Sequence, residues 1–118
     1  MKYLLTLFGD ESQWGERTPE QQAESMKAWD DYTNAVTDAG VYLGGEGLQP
    51  SATATTVRIP ESGDPIVSDG PFAETKEQLG GFYLLDVKDT AAAEEWAAKI
   101  PGAQWGCVEV RPVMDYDA

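Results

Sequence analysis

Residues 68–82 read SDGPFAETKEQLGGF, and the rest of the chain is organised around this stretch. Asp69-Gly70-Pro71 predicts a turn, because Asp bonds its own backbone, Gly accepts a positive φ, and Pro fixes φ without donating a hydrogen bond. Phe72 then places one large apolar side chain among polar neighbours. Gly80-Gly81 allows another backbone or a ligand to approach closely before a strand begins. The stretch therefore indicates a site, although it contains no complete catalytic device.

The longer string DGPFAETKEQLGGFYLLDV, residues 69–87, resembles the signature of the DGPF branch of the YCII-related family, small bacterial proteins of the dimeric α+β barrel superfamily. The likeness extends over nearly the whole chain, through residues 2–5, 44–48, 53–58 and 108–112. The resemblance implies a ferredoxin-like fold, a two-fold dimer and a cleft beside the sheet. It specifies the fold more closely than the function, since the family has no single defined activity.

One expected feature of that cleft is missing from this chain. In the wider superfamily a His of the first helix is thought to pair with an Asp as a general acid and base, whereas here Gln or Met stands at positions 21, 22 and 26 and the chain has no histidine. Proton transfer would then fall to a tyrosine or to one of three carboxylates, Asp69, Glu46 and Glu109. A carboxylate serves this purpose near pH 7 only where burial raises its pKa.

Length and composition limit the possible functions. A chain of 118 residues with 42% hydrophobic residues has room for one domain, residues 1–118, around one core. Its net charge of −13 disfavours nucleic acid and anionic membranes as partners, because both would repel it. With Cys107 as the single cysteine and no histidine, we expect no disulfide, no metal and no cofactor. The apolar start is followed by Gly9-Asp10-Glu11 and not by a cleavage site, which indicates a first strand in a cytoplasmic protein.

Capping residues and hydrophobic spacing predict two helices. Thr18-Pro19-Glu20-Gln21 combines an N-cap Thr, Pro at the first helical position and Gln for a capping box, so a helix should run from Pro19 to about Ala39. A second helix should run from Thr90 to about Ile100, where Pro101-Gly102 ends it. The side chains expected to be buried are Met26, Trp29, Tyr32, Val36 and Ala39 on the first helix and Ala93, Trp96, Ala97 and Ile100 on the second.

Alternating and β-rich segments predict strands at residues 2–8, 41–43, 52–59, 66–68, 81–87 and 105–111, of which 52–59 and 66–68 form a hairpin. This order is typical of the α+β class, with a ferredoxin-like antiparallel sheet and two helices on one face. Strands 2–8 and 81–87 are apolar on both faces. We therefore expect the face opposite the helices to be buried by a second copy of the chain, which gives a homodimer of the dimeric α+β barrel type.

The candidate site residues are Asp69 as an acid and, for ligand binding, Glu46, Phe72, Glu109, Arg111 and Trp14. The glycines around Glu46 indicate either close backbone approach or a bulge with a solvated carboxylate. Glu109 and Arg111 share one strand face, where they anchor a ligand if enclosed and stabilise the fold by less than about 1 kcal/mol if wet. Trp14 either caps the core or lines a pocket. Cys107 is most simply a small core residue.

Three functions stay open. The first is a small-molecule enzyme or binding protein whose dimer-related clefts contain Asp69, Phe72 and neighbouring polar groups. The second is a non-catalytic regulator, because relatives of this branch are often found beside extracytoplasmic-function sigma factors and an acidic surface suits a basic protein. The third is purely structural, with Asp69 capping a turn and Phe72 sealing the core. A shaped pocket with converging polar groups separates the first function from the third.

Overall fold

The computed structural model describes residues 1–103 and 106–116, and of residues 14–16 only the backbone. Within these ranges the elements are, in chain order, β1 (Lys2–Gly9), a 3-10 helix (Glu11–Glu16), α1 (Pro19–Asp38), β2 (Tyr42–Gly47), a 3-10 helix (Ser51–Thr53), β3 (Thr55–Arg58), β4 (Ile66–Asp69), β5 (Gln78–Asp86), α2 (Thr90–Ala98) and β6 (Gly106–Pro112).

Four of the strands form one antiparallel sheet in the order β2-β5-β1-β6. At the centre, Leu5 of β1 lies between Tyr83 of β5 and Val110 of β6. Among the described residues, β3 and β4 pair with each other and with no strand of this sheet. The α+β class and the ferredoxin-like order are therefore confirmed. The β3–β4 hairpin, which we call the arm, is inserted between β2 and β5.

Both helices begin at side-chain caps. Thr18 Oγ1 accepts the Gln21 N–H at 3.1 Å, and Gln21 Oε1 accepts the Thr18 N–H at 2.9 Å, so the predicted capping box is present. α1 ends at Asp38, and Gly40 follows with φ +74, as expected for a residue after a helix. α2 starts at a cap that we did not predict from the sequence, since a carboxylate oxygen of Asp89 accepts the N–H of the third residue after it at 2.9 Å.

The core lies between the two helices and a single face of the sheet. Its buried members are Tyr3, Leu5, Tyr32, Val36, Leu85, Val87, Ala93, Ala97 and Ile100. Tyr32 Oη donates to the Trp96 carbonyl at 2.9 Å, and Tyr3 shares a 3.0 Å hydrogen bond with Thr90 Oγ1. The buried phenols are therefore paired, and the polar atoms of the core cost little to bury.

Three predictions about burial are wrong. The sequence predicts Met26 and Ala39 in the buried stripe of α1, but both are exposed. The core contacts the C-terminal half of the helix through Tyr32 and Val36, whereas Met26 precedes this part and Ala39 is the C-cap. Cys107 is exposed and not a core residue, because it lies on the face of β6 that is turned away from the helices.

Some element boundaries also differ from the prediction. β3 starts at Thr55 and not at residue 52, because the Glu11 carboxylate accepts both the N–H and the hydroxyl of Ser51, at 2.7 and 2.6 Å, and holds the preceding residues in a 3-10 turn. α2 ends at Ala98, before the predicted Ile100. The predicted start of the last strand, Trp105, lies outside the described residues.

Neither helix covers the second face of the sheet, which we call the open face. Its inner strands carry half-buried apolar side chains at Leu4, Phe8, Phe82 and Leu84. The chain exposes 8511 Å² of accessible surface, whereas a compact protein of its length exposes roughly 6,300 Å². Its radius of gyration is 16.5 Å, compared with about 13.5 Å for a compact domain. A single chain therefore leaves apolar surface uncovered.

Gly81→Ala should lower the free energy of unfolding by about 1–3 kcal/mol, because a Cβ at this position would lie 2.8 Å from the Glu46 carbonyl oxygen on the neighbouring strand. Gly44→Ala is the matched control on β2, since its Cβ would meet no described atom within 4 Å and stability should change by less than about 1 kcal/mol. Urea unfolding followed by tryptophan fluorescence measures both variants. Equal losses in the two would contradict the close strand approach.

Candidate functional site

A groove of about 1290 Å³ lies between α1 and the sheet. One wall is α1, which contributes Ser25, Ala28 and Trp29. The opposite side includes Leu7 and Tyr83 together with the backbone of five glycines, Gly9, Gly45, Gly47, Gly80 and Gly81. The groove continues to the open face, where Phe8, Phe82, Glu46 and Cys107 also line it. We call this cavity the groove.

The glycine-rich floor exists because two glycine segments pair side by side. Gly47 of β2 lies directly opposite Gly81 of β5, and β2 carries a bulge between Tyr42 and Gly44. A Cβ at Gly45 would lie 2.7 Å from the Phe82 carbonyl oxygen, so side chains are excluded from this part of the sheet. The close approach predicted from both glycine segments is confirmed for backbone against backbone. Of the two alternatives for Glu46, the close approach applies to the backbone around it, and the bulge with an exposed carboxylate applies to its side chain.

Tyr83 is the centre of an aromatic cluster on the groove wall. Its ring is stacked parallel to Trp29, with centroids 6.3 Å apart and planes 9° apart, and it makes edge contacts with Tyr32 at 5.1 Å and Tyr42 at 6.1 Å. The Tyr83 hydroxyl shares a 2.9 Å hydrogen bond with Thr33 Oγ1. Since the ring is fixed on several sides, the wall is rigid before any ligand arrives.

Burial controls the protonation of this wall. Desolvation raises the pKa of Tyr32 and the pKa of Tyr83, although the Thr33 hydrogen bond opposes part of the shift at Tyr83. Desolvation, followed by the nearby Glu77 carboxylate, also raises the pKa of the Cys107 thiol. All three groups are therefore protonated near pH 7, which does not suit proton abstraction or thiolate chemistry. The Tyr32 and Tyr83 hydroxyls already bond to the Trp96 carbonyl and to Thr33 Oγ1.

Two cations line the groove among the described residues. The Arg17 guanidinium donates from Nη1 to Ser25 Oγ at 3.1 Å. Lys99 Nζ lies 4.9 Å from the centre of the Trp96 ring, which is a cation–π contact. The groove also has carboxylates in its lining, at Asp10, Glu24, Asp31 and Glu46. Since one hydrogen bond to Ser25 leaves most of its five donors available, Arg17 can receive an anionic group of a ligand.

Three of the predicted site residues lie on the open face. Glu46 is opposite Phe82, which is opposite Thr6, which is opposite Glu109, so these four side chains form one row across the sheet. Glu46 and Glu109 are on the two edge strands, and three strand spacings, about 14 Å, separate them. Arg111 Nε lies 3.7 Å from Glu109 Oε1, with side chains 71% and 55% exposed, so in the single chain this pair stabilises the fold little.

Asp69 and Phe72 lie at the base of the arm, away from that row. Asp69 ends β4 opposite Thr55 and is exposed, and Phe72 is 80% exposed. Gly70 has φ +97, as the predicted turn requires. Phe72 therefore does not seal the core of its own chain, and the burial expected around Asp69 is not provided by that chain. The side chain of Trp14, the remaining candidate, lies outside the described residues.

A second cavity, of about 580 Å³, lies beside the turn and includes Gly70, Pro71 and Lys76 in its lining. The loop is fixed here by Gln78, whose Nε2 donates to two carbonyl oxygens of the loop at 3.1 Å each. A hydroxyl hydrogen bond from Ser12, followed by one from its backbone N–H, lowers the pKa of the neighbouring Asp10. The two Gln78 hydrogen bonds hold the loop in place, which is a structural role for part of the DGPF stretch.

No group of three or more His, Cys, Asp and Glu side chains in the described part of the chain has an arrangement that could hold a metal ion. No helix within residues 1–103 and 106–116 combines the length and the apolar character needed to cross a bilayer.

Most groove residues were not among the predicted site residues, and Glu46 is the exception. Trp29 and Tyr32 were interpreted as a helix stripe and Tyr83 as an ordinary strand residue. A signal was present in the sequence, because aromatic side chains flank both glycine segments: Tyr42 precedes Gly44-Gly45, and Phe82-Tyr83 follows Gly80-Gly81. Glycine next to an aromatic residue on two paired strands produces a flat floor beside a rigid wall.

The sequence is similar to known proteins over nearly its full length. The family model described as "YCII-related domain" matches residues 1–117. A protein of Rhizobium meliloti (strain 1021), "Uncharacterized protein R00369", is 36% identical over 118 residues, which cover 98% of this chain and 94% of that protein. The similarity therefore includes the groove, the open face and the arm.

The stability of the fold should decrease as pH rises above about 10, the ordinary pKa of tyrosine. Both Tyr32 and Tyr83 have a folded-state pKa above that of the unfolded chain, so their contribution is complete below about pH 10 and is lost as the unfolded phenols ionise. Urea unfolding between about pH 8 and about pH 11 should give a steeper loss for the native chain than for a chain carrying Tyr32→Phe and Tyr83→Phe. If stability falls equally with pH in the native chain and in the double variant, the burial of these phenols does not cause the loss.

Proposed function

The chain belongs to the YCII-related domain family, and on that premise we propose that it binds a small molecule in the groove as part of a homodimer. The observation that carries the proposal is the fixed aromatic wall, with Trp29 and Tyr83 stacked in parallel above a floor of glycine backbone. Ligand sites are usually concave and mostly apolar, with a few fixed polar groups that orient the ligand. The groove fits this description in its aromatic wall, beside which Arg17 is a fixed polar group.

The charges of the groove favour a particular ligand class. The aromatic wall suits a flat or otherwise apolar molecule, and Arg17 suits one anionic group on it. The four lining carboxylates outnumber the two cations, so a polyphosphate or another multiply charged anion would be repelled. The proposed ligand is therefore an apolar or aromatic molecule with a single carboxylate or sulfonate.

Proton transfer on such a ligand would need a carboxylate, because the chain has no histidine and the raised pKa values of the wall tyrosines keep them protonated. Of the three carboxylates predicted from the sequence, Glu46 is the one that lines the groove. Asp69, the predicted site acid, would need to be brought to the groove by another part of the assembly.

The homodimer forms through the open face in this proposal. The half-buried side chains of Leu4, Phe8, Phe82 and Leu84 supply the apolar centre of the interface. The surface in excess of a compact chain, about 2,200 Å², is more than the roughly 800 Å² that each partner of a standard interface buries. The area available is therefore sufficient for a stable dimer.

A second candidate function rests on the net charge of −13. An acidic surface favours binding to a basic protein, such as an extracytoplasmic-function sigma factor, through long-range attraction. Sodium chloride titration of a complex recovered from a native lysate tests this candidate. A partner that stays bound when the groove is blocked would favour regulation over small-molecule binding.

Light scattering on the eluting peak should give twice the mass of one chain at micromolar concentration, because the open face buries its apolar centre only in a dimer. Leu84→Glu places a charge in that centre and should yield monomers. A native chain that elutes as a monomer would remove the basis of the homodimer.

Ala28→Phe should weaken the binding of anilinonaphthalene sulfonate, a fluorescent aromatic anion, by about tenfold or more, because the new ring would occupy the groove. Ala23→Phe is the matched control, since this residue is exposed on the same helix and does not line the groove. Fluorescence titration measures both dissociation constants. An equal effect of the two substitutions, or none, would rule out the groove as the binding site.

Arg17→Gln separates charge recognition from apolar binding. It should weaken the binding of anilinonaphthalene sulfonate by about tenfold, because a charge-assisted hydrogen bond is lost. Binding of the neutral N-phenylnaphthylamine should be unchanged, since it has no anionic group for Arg17 to receive. Equal losses for the two probes would contradict the assignment of Arg17 as the anion donor.

A further inference from the structure

The arm has an apolar face that none of the described residues of its own chain covers. Its register places Val57 opposite Val67 and Thr55 opposite Asp69, and strand alternation puts these four side chains on the same face. Val57, Val67 and the following Ile59 are 57%, 65% and 70% exposed. The arm therefore presents a continuous apolar strip, with a carboxylate at its base.

An isolated two-stranded ribbon of this kind is marginally stable in water. The arm joins no strand of the four-stranded sheet within the described residues, and both of its strands are mostly exposed. An exposed apolar ribbon is also a site of non-specific pairing unless something covers it. The arm thus needs an occupant for its apolar face.

The area balance indicates that the occupant is a second copy of the chain. The excess surface is about 2,200 Å² per chain, so two chains could bury up to about 4,400 Å², which is within the roughly 2,000–5,000 Å² that obligate homodimers bury in total. The open face and the arm are both apolar and both uncovered, so two copies related by a two-fold axis can cover the two surfaces reciprocally.

The groove also needs closing from outside. Its volume of about 1290 Å³ exceeds the roughly 300–1,000 Å³ of usual ligand sites, and it continues to the open face at Phe8 and Phe82. A site of that size does not enclose a small ligand. Whatever covers the open face in a dimer also covers this end of the groove.

We propose that the arm of one chain docks on the open face of the second copy, so that Asp69 and Phe72 close the groove of the partner. This inference rests on the proposed homodimer and on the groove as the ligand site. Phe72 supplies an apolar cover beside the partner's aromatic side chains, and Asp69 follows the apolar strip into the interface. The open face offers a cation for that carboxylate, since Arg111 is held by its own Glu109 only at 3.7 Å.

Val67→Lys should raise the dissociation constant of the dimer by about 100-fold, because the docked arm would bury an ammonium group without a partner. Ser68→Lys is the matched control, since the neighbouring residue lies on the opposite face of the same strand and adds the same charge. Its dissociation constant should change by less than about threefold. Both residues are exposed in the single chain, so both variants should fold, which circular dichroism verifies.

Sedimentation equilibrium measures the two dissociation constants. A native dimer that tolerates both substitutions equally would overturn the docking of the arm and leave the homodimer through the open face standing. A native chain that is monomeric would overturn both proposals. The two failures are therefore distinguishable, and neither measurement depends on a ligand.

Photo-crosslinking tests where Phe72 lies in the dimer. The photoreactive p-benzoylphenylalanine replaces Phe72 in a mixture of nitrogen-15-labelled and unlabelled chains. Mass spectrometry should find crosslinks that join a heavy chain to a light chain, at residues of β1, β5 or β6 on the open face. Crosslinks confined to one chain would overturn the role of Phe72 in the partner's groove, even if the arm substitutions weaken the dimer.

Discussion

The rest of the structure depends on a sheet whose central strands are apolar on both faces while only one face is covered by helices. Tyr3, Leu5 and Leu85 are buried against α1 and α2, and the alternate residues of the same strands stay half-buried on the open face. Two helices and one sheet cannot enclose both faces, because the helices of a ferredoxin-like order lie on one side. The large surface and radius of gyration of the single chain follow from this arrangement.

The glycine segments connect this sheet to the groove. A Cβ at Gly45 or at Gly81 would lie 2.7 or 2.8 Å from a carbonyl oxygen of the neighbouring strand, so these two glycines permit the close pairing of β2 and β5. The adjacent Tyr83 is held by Trp29 and Thr33 from α1. The same residues therefore contribute to stability and to the groove wall. Substitution of Gly45 or Gly81 would change both, whereas Ala28 lines the groove from α1 and is not a member of the buried core, which makes it the better probe of binding.

Sequence alone was sufficient for the class, the ferredoxin-like topology and the capping box. The capping box follows from short-range hydrogen bonds, and the class and topology follow from the order of the periodic elements together with the family resemblance. It was not sufficient for burial where the partner surface is distant in sequence. Met26 has the spacing of a buried residue but lies beyond the reach of the core, and Cys107 alternates onto the uncovered face. Predicting the pairing of Gly47 with Gly81, and therefore the groove, requires the register of β2 against β5. The spacing of residues along one strand does not determine that register.

The DGPF stretch has two interpretations, a ligand site and a structural lock. Both require Phe72 to be covered, and the ligand site also requires burial around Asp69. Within one chain both residues are exposed, so neither interpretation is satisfied there. The proposed docking of the arm would cover Phe72, because a contact that seals the apolar strip would also bring Asp69 and Phe72 to the neighbouring groove. In that arrangement ligand affinity and dimer stability are linked, since any ligand that contacts both chains stabilises the dimer by mass action. A residue that acts in the partner's groove must be exposed in its own chain, and both Asp69 and Phe72 meet this condition.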